Sequence, residues 1–160
     1  MPEFVTTRRV AHSAQDMFAL VADVERYPEF VPLCESLRIV SRMRQGEIET
    51  ILAAMTVAYK LIRETFTSEV RLDHAAGEIR VKYHDGPFKS LTNLWTFRSL
   101  GGELCEIGFC IAYEFRSRML QMLMGAVFDR AFRKFADAFE ARADAVYGRK
   151  EAVRPAADAV

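Results

Sequence analysis

Arg116–Phe132 reads RSRMLQMLMGAVFDRAF, and Arg133–Tyr147 continues RKFADAFEARADAVY. The stretch holds no proline and a single glycine, Gly125, so it predicts one uninterrupted helix. At about 1.5 Å per residue it spans roughly 45 Å, longer than the core of a small domain needs. In its second half Phe128, Phe132, Phe135, Phe139 and Val146 recur at helical spacing, and Arg130, Arg133, Lys134, Asp137 and Glu140 take the other side. That half buries one face against a flat apolar surface. In the first half Met119, Leu120, Met122, Leu123, Met124, Ala126 and Val127 point all round the axis, so more apolar surface is presented than one sheet covers.

The flat surface is legible upstream. Cys105, Ile107, Phe109, Ile111, Tyr113 and Phe115 alternate with smaller or polar residues at the strand period. Moving further back, Leu91, Trp95 and Phe97 alternate with Thr92, Thr96 and Arg98; Ile79, Val81 and Tyr83 with Arg80, Lys82 and His84; and Phe66, Ser68, Val70 and Leu72 with Thr67, Glu69 and Arg71. Gly101-Gly102, Asp85-Gly86-Pro87, Ala75-Ala76-Gly77 and Gln45-Gly46 supply the turns between successive strands. Ile51 to Leu61 is apolar on both faces, which predicts a bend or bulge there. Leu37, Ile39 and Met43 begin the strand before it. Glu3 to Arg9 is β-prone and charged, as an edge strand tends to be. Between them Ser13-Ala14-Gln15-Asp16 matches a capping box and predicts a helix over Ala14–Ala22, and Asp23 to Pro32 predicts an apolar loop or short helix interrupted by Pro28.

The architecture implied is α+β: a curved antiparallel sheet of about seven strands wrapped around the long C-terminal helix, the helix-grip arrangement. Residues 1–147 form one domain of ordinary size, and 148–160, which have no period and few apolar residues, are expected to be a disordered tail.

Composition excludes several classes. Lys plus Arg and Asp plus Glu both number 22, so no bulk field draws the chain to DNA or anionic lipid, and any such partner needs a local patch. No apolar run approaches the eighteen or so residues of a spanning helix, and MPEFVTTRRV lacks a signal-peptide core; a cytoplasmic protein, at most peripheral on the inner face of the membrane, is expected. Cys34, Cys105 and Cys110 fit no zinc or redox spacing and read as reduced structural thiols. His12, His74 and His84 are scattered over turns and strand ends, without a hydrolase or zinc-protease motif. Glu47, Glu49, Glu64, Glu69, Glu78 and Glu106 mostly fall opposite the apolar register and are expected to face water. No catalytic residue, metal or cofactor is therefore expected.

DVERYPEFVPLCESLRIV, DGPFKSLTNLWTF and AFEARADAVYG together resemble the coenzyme-Q-binding branch of the START-like polyketide cyclase/dehydrase superfamily. Its most specific pieces are Tyr27-Pro28-x-Phe30-x-Pro32 and Gly86-Pro87-Phe88 followed by Leu91, Trp95 and Phe97, and it spans roughly residues 3–147. MLQMLMGAVF departs mildly from the family pattern, so helix positions rest on periodicity. The resemblance implies a START/Bet v 1-like fold and non-catalytic binding of a hydrophobic ligand between sheet and helix, with ubiquinone or a related isoprenoid quinone first and respiration as the process served. Bacterial members have been labelled ribosome-association toxins, so a module that binds a ribosomal subunit through Arg116, Arg118, Arg130 and Arg133 is the alternative. An aromatase-like enzyme is a distant third.

A single helix cannot fill the concave side of a strongly bent sheet, which predicts a pocket. Its expected lining is Val57, Tyr59, Val81, Tyr83, Trp95, Phe97, Phe109, Tyr113, Met124, Phe128 and Phe132, although for any one of Trp95, Phe97, Phe109, Tyr113, Phe128 and Phe132 plain core packing is the better reading, and the case for a pocket is collective. Tyr59, Tyr83 and Tyr113 offer hydroxyls either to quinone carbonyls or to backbone. Tyr27, Phe30, Val31, Leu33, Met119, Leu120 and Leu123 are the expected lips, brought together at one end of the domain and set against a membrane.

Overall fold

The computed structural model describes residues 3–148. The expected tail lies outside the described residues, apart from Gly148 at its start. Seven strands form one antiparallel sheet: β1 (Glu3–Val10), β2 (Cys34–Gln45), β3 (Ile48–Tyr59), β4 (Ile62–Asp73), β5 (Glu78–Asp85), β6 (Phe88–Ser99) and β7 (Cys105–Phe115). Their spatial order is β1-β7-β6-β5-β4-β3-β2, a meander from β2 to β7 with β1 folded back beside β7. As expected, β1 is an edge strand.

The apolar register sets the inner face. Along β7 every second residue from Cys105 to Phe115 is buried, and β6 presents Leu91, Trp95 and Phe97 to the same side. Helix α1 (Ala14–Ala22) begins where Ser13 Oγ accepts from the Asp16 amide at 3.0 Å, and it buries Met17, Phe18, Leu20 and Val21. A 3₁₀ helix, Val24–Glu29, follows with Pro28 inside its last turn. The irregularity predicted within Ile51–Leu61 lies elsewhere: β3 pairs with β4 without a break, and the bulges sit on its other partner, β2, at Cys34/Ser36 and Ile39/Ser41. β2 is the free edge and can absorb an extra residue, whereas β3 is held from both sides. The run ends at Tyr59, and Lys60 turns the chain with φ 56°.

The C-terminal stretch is two helices rather than one, α2 (Arg118–Arg133) and α3 (Phe135–Tyr147). At Lys134 the amide bonds back three residues to the Ala131 carbonyl at 3.1 Å, a tightened turn that no proline or glycine announces. Across the turn Phe132, Phe135 and Phe139 all face inward, and Phe139 is 1% exposed. Burying such a ring stabilises by about 1.5–3 kcal/mol. Polar ties fix α3 across the strand ends: Arg8 pairs with Asp137 and Glu140, the fully buried His12 meets Asp144 at 2.8 Å, and the Tyr147 hydroxyl donates to the Asp16 carbonyl at 3.1 Å.

One carboxylate departs from the expected solvent face. Glu49 shares the inward register of Ile51 and is buried, held by Arg42 at 3.0 Å with His74 at 3.9 Å.

Candidate functional site

Between the sheet and the C-terminal helices lies a cavity of about 100 Å³. Strand β3 gives it Ala53, Met55 and Val57; β4 gives Phe66, Ser68 and Val70; β5 gives Ile79 and Val81; β6 gives Leu91, Asn93 and Trp95; and Ile111 comes from β7. The helices close it with Phe128, Ala131, Phe132, Phe135 and Phe139, and the segment around the 3₁₀ helix adds Val24, Tyr27, Pro32, Leu33, with Leu37 from β2. Pro32, Leu33, Leu37, Met55 and Phe66 are half-buried and mark its mouth. Gly86 makes the wall possible at Phe66: its φ is 142°, and a Cβ there would lie 2.5 Å from the Phe66 Cβ.

The lining holds no carboxylate, histidine, lysine, arginine or cysteine. Its polar groups are three. Tyr27 donates its hydroxyl to the Val21 carbonyl, and burial pushes its pKa up, so it stays a neutral donor. Asn93 Nδ2 donates to the Cys110 carbonyl at 2.8 Å. An amide nitrogen carries two donors, so one N–H and the Oδ1 acceptor are left over. Ser68 is 5% exposed, and its Oγ has no hydrogen-bond partner among the described residues. A buried hydroxyl without a partner is costly, by about 1–3 kcal/mol. An apolar chamber with one unpaired hydroxyl and one half-used amide is suited to holding a mostly apolar molecule that carries a hydrogen-bond acceptor.

Five of the eleven residues expected to line the pocket do so: Val57, Val81, Trp95, Phe128 and Phe132. The other six do not. Phe97 stacks parallel to Trp95 and is covered by Phe18 of α1 at 5.5 Å, and Phe109 is enclosed by Phe4, Trp95 and Phe135. Tyr113 donates to the Gly125 carbonyl at 3.3 Å and ties α2 to the sheet, with its pKa raised by burial; Met124 is buried on the same helix. The Tyr83 hydroxyl accepts from the Phe88 amide at 3.1 Å, and Tyr59 lies at the strand end beneath the Lys60 ammonium. For Phe97 and Phe109 the cause is that Phe18 of α1 and Phe135 of α3 cover them, whereas the chamber opens between α2, α3 and the inward side chains of β3 to β6 with Ile111 of β7.

The expected lips separate. Tyr27 and Leu33 line the cavity, Val31 is buried, and Phe30 packs edge-on against Phe139 at 5.0 Å beneath the Arg142 guanidinium. Arg142 also bonds Glu29 and, followed by Arg26, holds its carboxyl below the usual range. This segment is thus fastened to α3 rather than to the start of α2, where Met119 and Leu123 stand exposed and Leu120 is half-buried. Ser68 and Asn93 are polar residues inside an apolar strand register, a signal in the sequence that points to a chamber lining.

Among the described residues no His, Cys, Asp and Glu side chains group as a metal site, and no helix is long and apolar enough to cross a membrane. Burial pushes the thiols of Cys34 and Cys105 up to about 11. The profile of the family described as polyketide cyclase / dehydrase and lipid transport matches residues 10–140. The ribosome association toxin RatA of Escherichia coli K12 is 34% identical over 150 residues, 94% of this chain and 92% of the relative. A mitochondrial coenzyme Q-binding protein homolog of Xenopus laevis is 30% identical over 153 residues, 93% of this chain and 61% of the relative. Among solved structures, an 18 kDa Caulobacter crescentus protein superposes with TM-score 0.74 at 35% identity, covering 92% of this chain and 99% of its own. A Streptomyces aromatase/cyclase reaches TM-score 0.74 at 19% identity over 97% of both chains, which shows the shared fold alone. The curated relatives named above are described as toxin or binding proteins rather than as enzymes.

Proposed function

The chain belongs to the polyketide cyclase / dehydrase and lipid transport family, and from that premise we propose that it binds an isoprenoid quinone, ubiquinone first, and chaperones it to respiratory enzymes without covalent chemistry. The observation that carries this reading is the unpaired Ser68 hydroxyl in an otherwise apolar chamber. A quinone ring is flat and apolar with carbonyl acceptors at its ends, so it satisfies Ser68, takes the spare Asn93 N–H where it reaches, and stacks among Trp95, Phe128 and Phe132. The chamber is of the same order as the dry cavity of about 150 Å³ that accepts benzene. It holds a ring, and an isoprenoid tail leaves through the mouth. Each buried CH₂ of that tail is worth about 0.8 kcal/mol, so release is to a bilayer rather than to water, which makes the protein peripheral to the membrane. The name of the Xenopus laevis relative supports the ligand class.

The name of the Escherichia coli relative, together with the exposed Arg116 just before α2 and Arg118, Arg130 and Arg133 along it, favours a second reading, a module that associates with a ribosomal subunit.

Trp95 is the sole tryptophan and lines the chamber, so its fluorescence reports occupancy. Titration with a short-tailed ubiquinone should quench it saturably at one equivalent. Quenching that rises linearly without saturation, together with cosedimentation of the protein with ribosomal subunits, refutes the first reading in favour of the second.

A further inference from the structure

We infer that one end of the sheet is a docking face for anionic lipid, formed by the projecting β3–β4 hairpin and the start of α2. The inference rests on the ligand-carrier reading and locates its membrane contact. Strands alternate in direction, so the β3–β4 turn, the β5–β6 turn and the exit of β7 into α2 share one end. The β4–β5 ladder stops at Thr67↔Asp85, whereas β3 and β4 remain paired out to Tyr59↔Ile62. On the β4 side the hairpin therefore extends past β5 by Ile62–Phe66, roughly 17 Å of strand, while on the β3 side β2 and Leu33 accompany it as far as Val57 and Ala58.

Its tip is Lys60-Leu61, and Leu61 is 101% exposed. An apolar residue fully in water at the point of a projection has no role in the fold. On α2, Met122 is 85% exposed, with Met119 and Leu123 beside it. Both elements border the chamber: Met55 pairs with Phe66 at its mouth, about five residues below the tip, and Phe128 enters it two turns after Leu120.

The charges select the partner. Arg116 and Arg118 flank the N-cap Ser117, and the first turn of α2 contains no acid. Of the other ions at this end, Arg63 is bonded to Glu35 and Lys89 lies 3.9 Å from Glu114, which leaves Lys60, Arg116 and Arg118 against Glu64 and Asp85. Exposed apolar tips ringed by arginine and lysine fit lipid phosphates over an acyl boundary.

The test is flotation with vesicles of phosphatidylcholine alone or with phosphatidylglycerol, without quinone. Wild type should float with the anionic vesicles only. Leu61→Asp with Met122→Asp, both outside the chamber lining, should lower flotation at least tenfold while Trp95 quenching by a short-tailed quinone is unchanged. Met43→Asp, exposed at the opposite end of the sheet, should float as wild type does. Flotation of the Leu61/Met122 variant equal to wild type, equal loss in Met43→Asp, or wild type bound to ribosomal subunits but not to vesicles overturns the docking face. Failed quenching with intact, variant-sensitive flotation removes the quinone and keeps the face.

Discussion

Replacing Ser68 with alanine should move stability and affinity in opposite directions. The Ser68 hydroxyl is buried and finds no protein partner among the described residues, so removing it should spare the ligand-free protein a desolvation cost of up to about 1–3 kcal/mol. Alanine removes the oxygen, keeps the Cβ against the chamber, and suits a strand about as well as serine does. The empty variant should gain roughly 1–2 kcal/mol, which for a chain of this length raises Tm by roughly 2–8 °C. The same change removes a donor to the ligand, worth about 0.5–1.5 kcal/mol, so the Kd for a short-tailed ubiquinone should rise roughly two- to tenfold. Differential scanning calorimetry of delipidated protein and Trp95 quenching supply the two numbers. A lower Tm with unchanged affinity refutes the reasoning, since the hydroxyl would then be satisfied within the empty protein and unused by the ligand.

Ala131→Leu adds bulk to the chamber from a helical position that favours leucine, so quinone affinity should fall at least tenfold with helical circular dichroism unchanged. The Glu29 carboxyl is lowered by Arg142 and Arg26, so its contribution is complete above the ordinary carboxylate value of about 4.3 and is lost as pH falls through the depressed folded value. The Tm gap between wild type and Glu29→Gln should therefore be present at neutral pH and close towards pH ~3; a gap independent of pH contradicts the Arg142 link. Cys34 and Cys105, buried and with their thiols pushed up to about 11, should resist an aromatic disulfide reagent at neutral pH until the protein unfolds, while Cys110, its thiol also raised by burial and by Glu3 but partly exposed, should be the first to react.

The strands, their order of succession, α1 and the capping by Ser13 follow from period and turn residues, because each is decided within a window of about ten residues. The break at Lys134 is not decided there. Phe132, Phe135 and Phe139 keep helical spacing across it and all line the chamber, so the residue pattern carries no marker of the break. The chamber was legible as a consequence of curvature, yet its position was not. Tyr113 and Phe109 share the inward register of Ile111, and only the packing of Phe18 on Phe97 and of Phe135 on Phe109 shows which half of the sheet is solid. Aromatic size drew part of the expected lining to Phe97, Phe109 and Tyr113, which are packed solid, whereas the chamber is lined in part by smaller residues such as Ala53, Ser68 and Val70, which leave space because they are small. Asp23–Pro32 reads as an apolar loop or short helix, but nothing local shows that Glu29 and Phe30 are claimed by Arg142, a residue more than a hundred positions away.

The claim that the chamber holds an isoprenoid quinone is tested most directly by extracting the protein, purified without detergent from its native host, into organic solvent. Ultraviolet absorbance and mass spectrometry of the extract should show one quinone species, near one equivalent per chain, that disappears in Ala131→Leu. An extract with no quinone, or with the same quinone in equal amount from Ala131→Leu, contradicts the account.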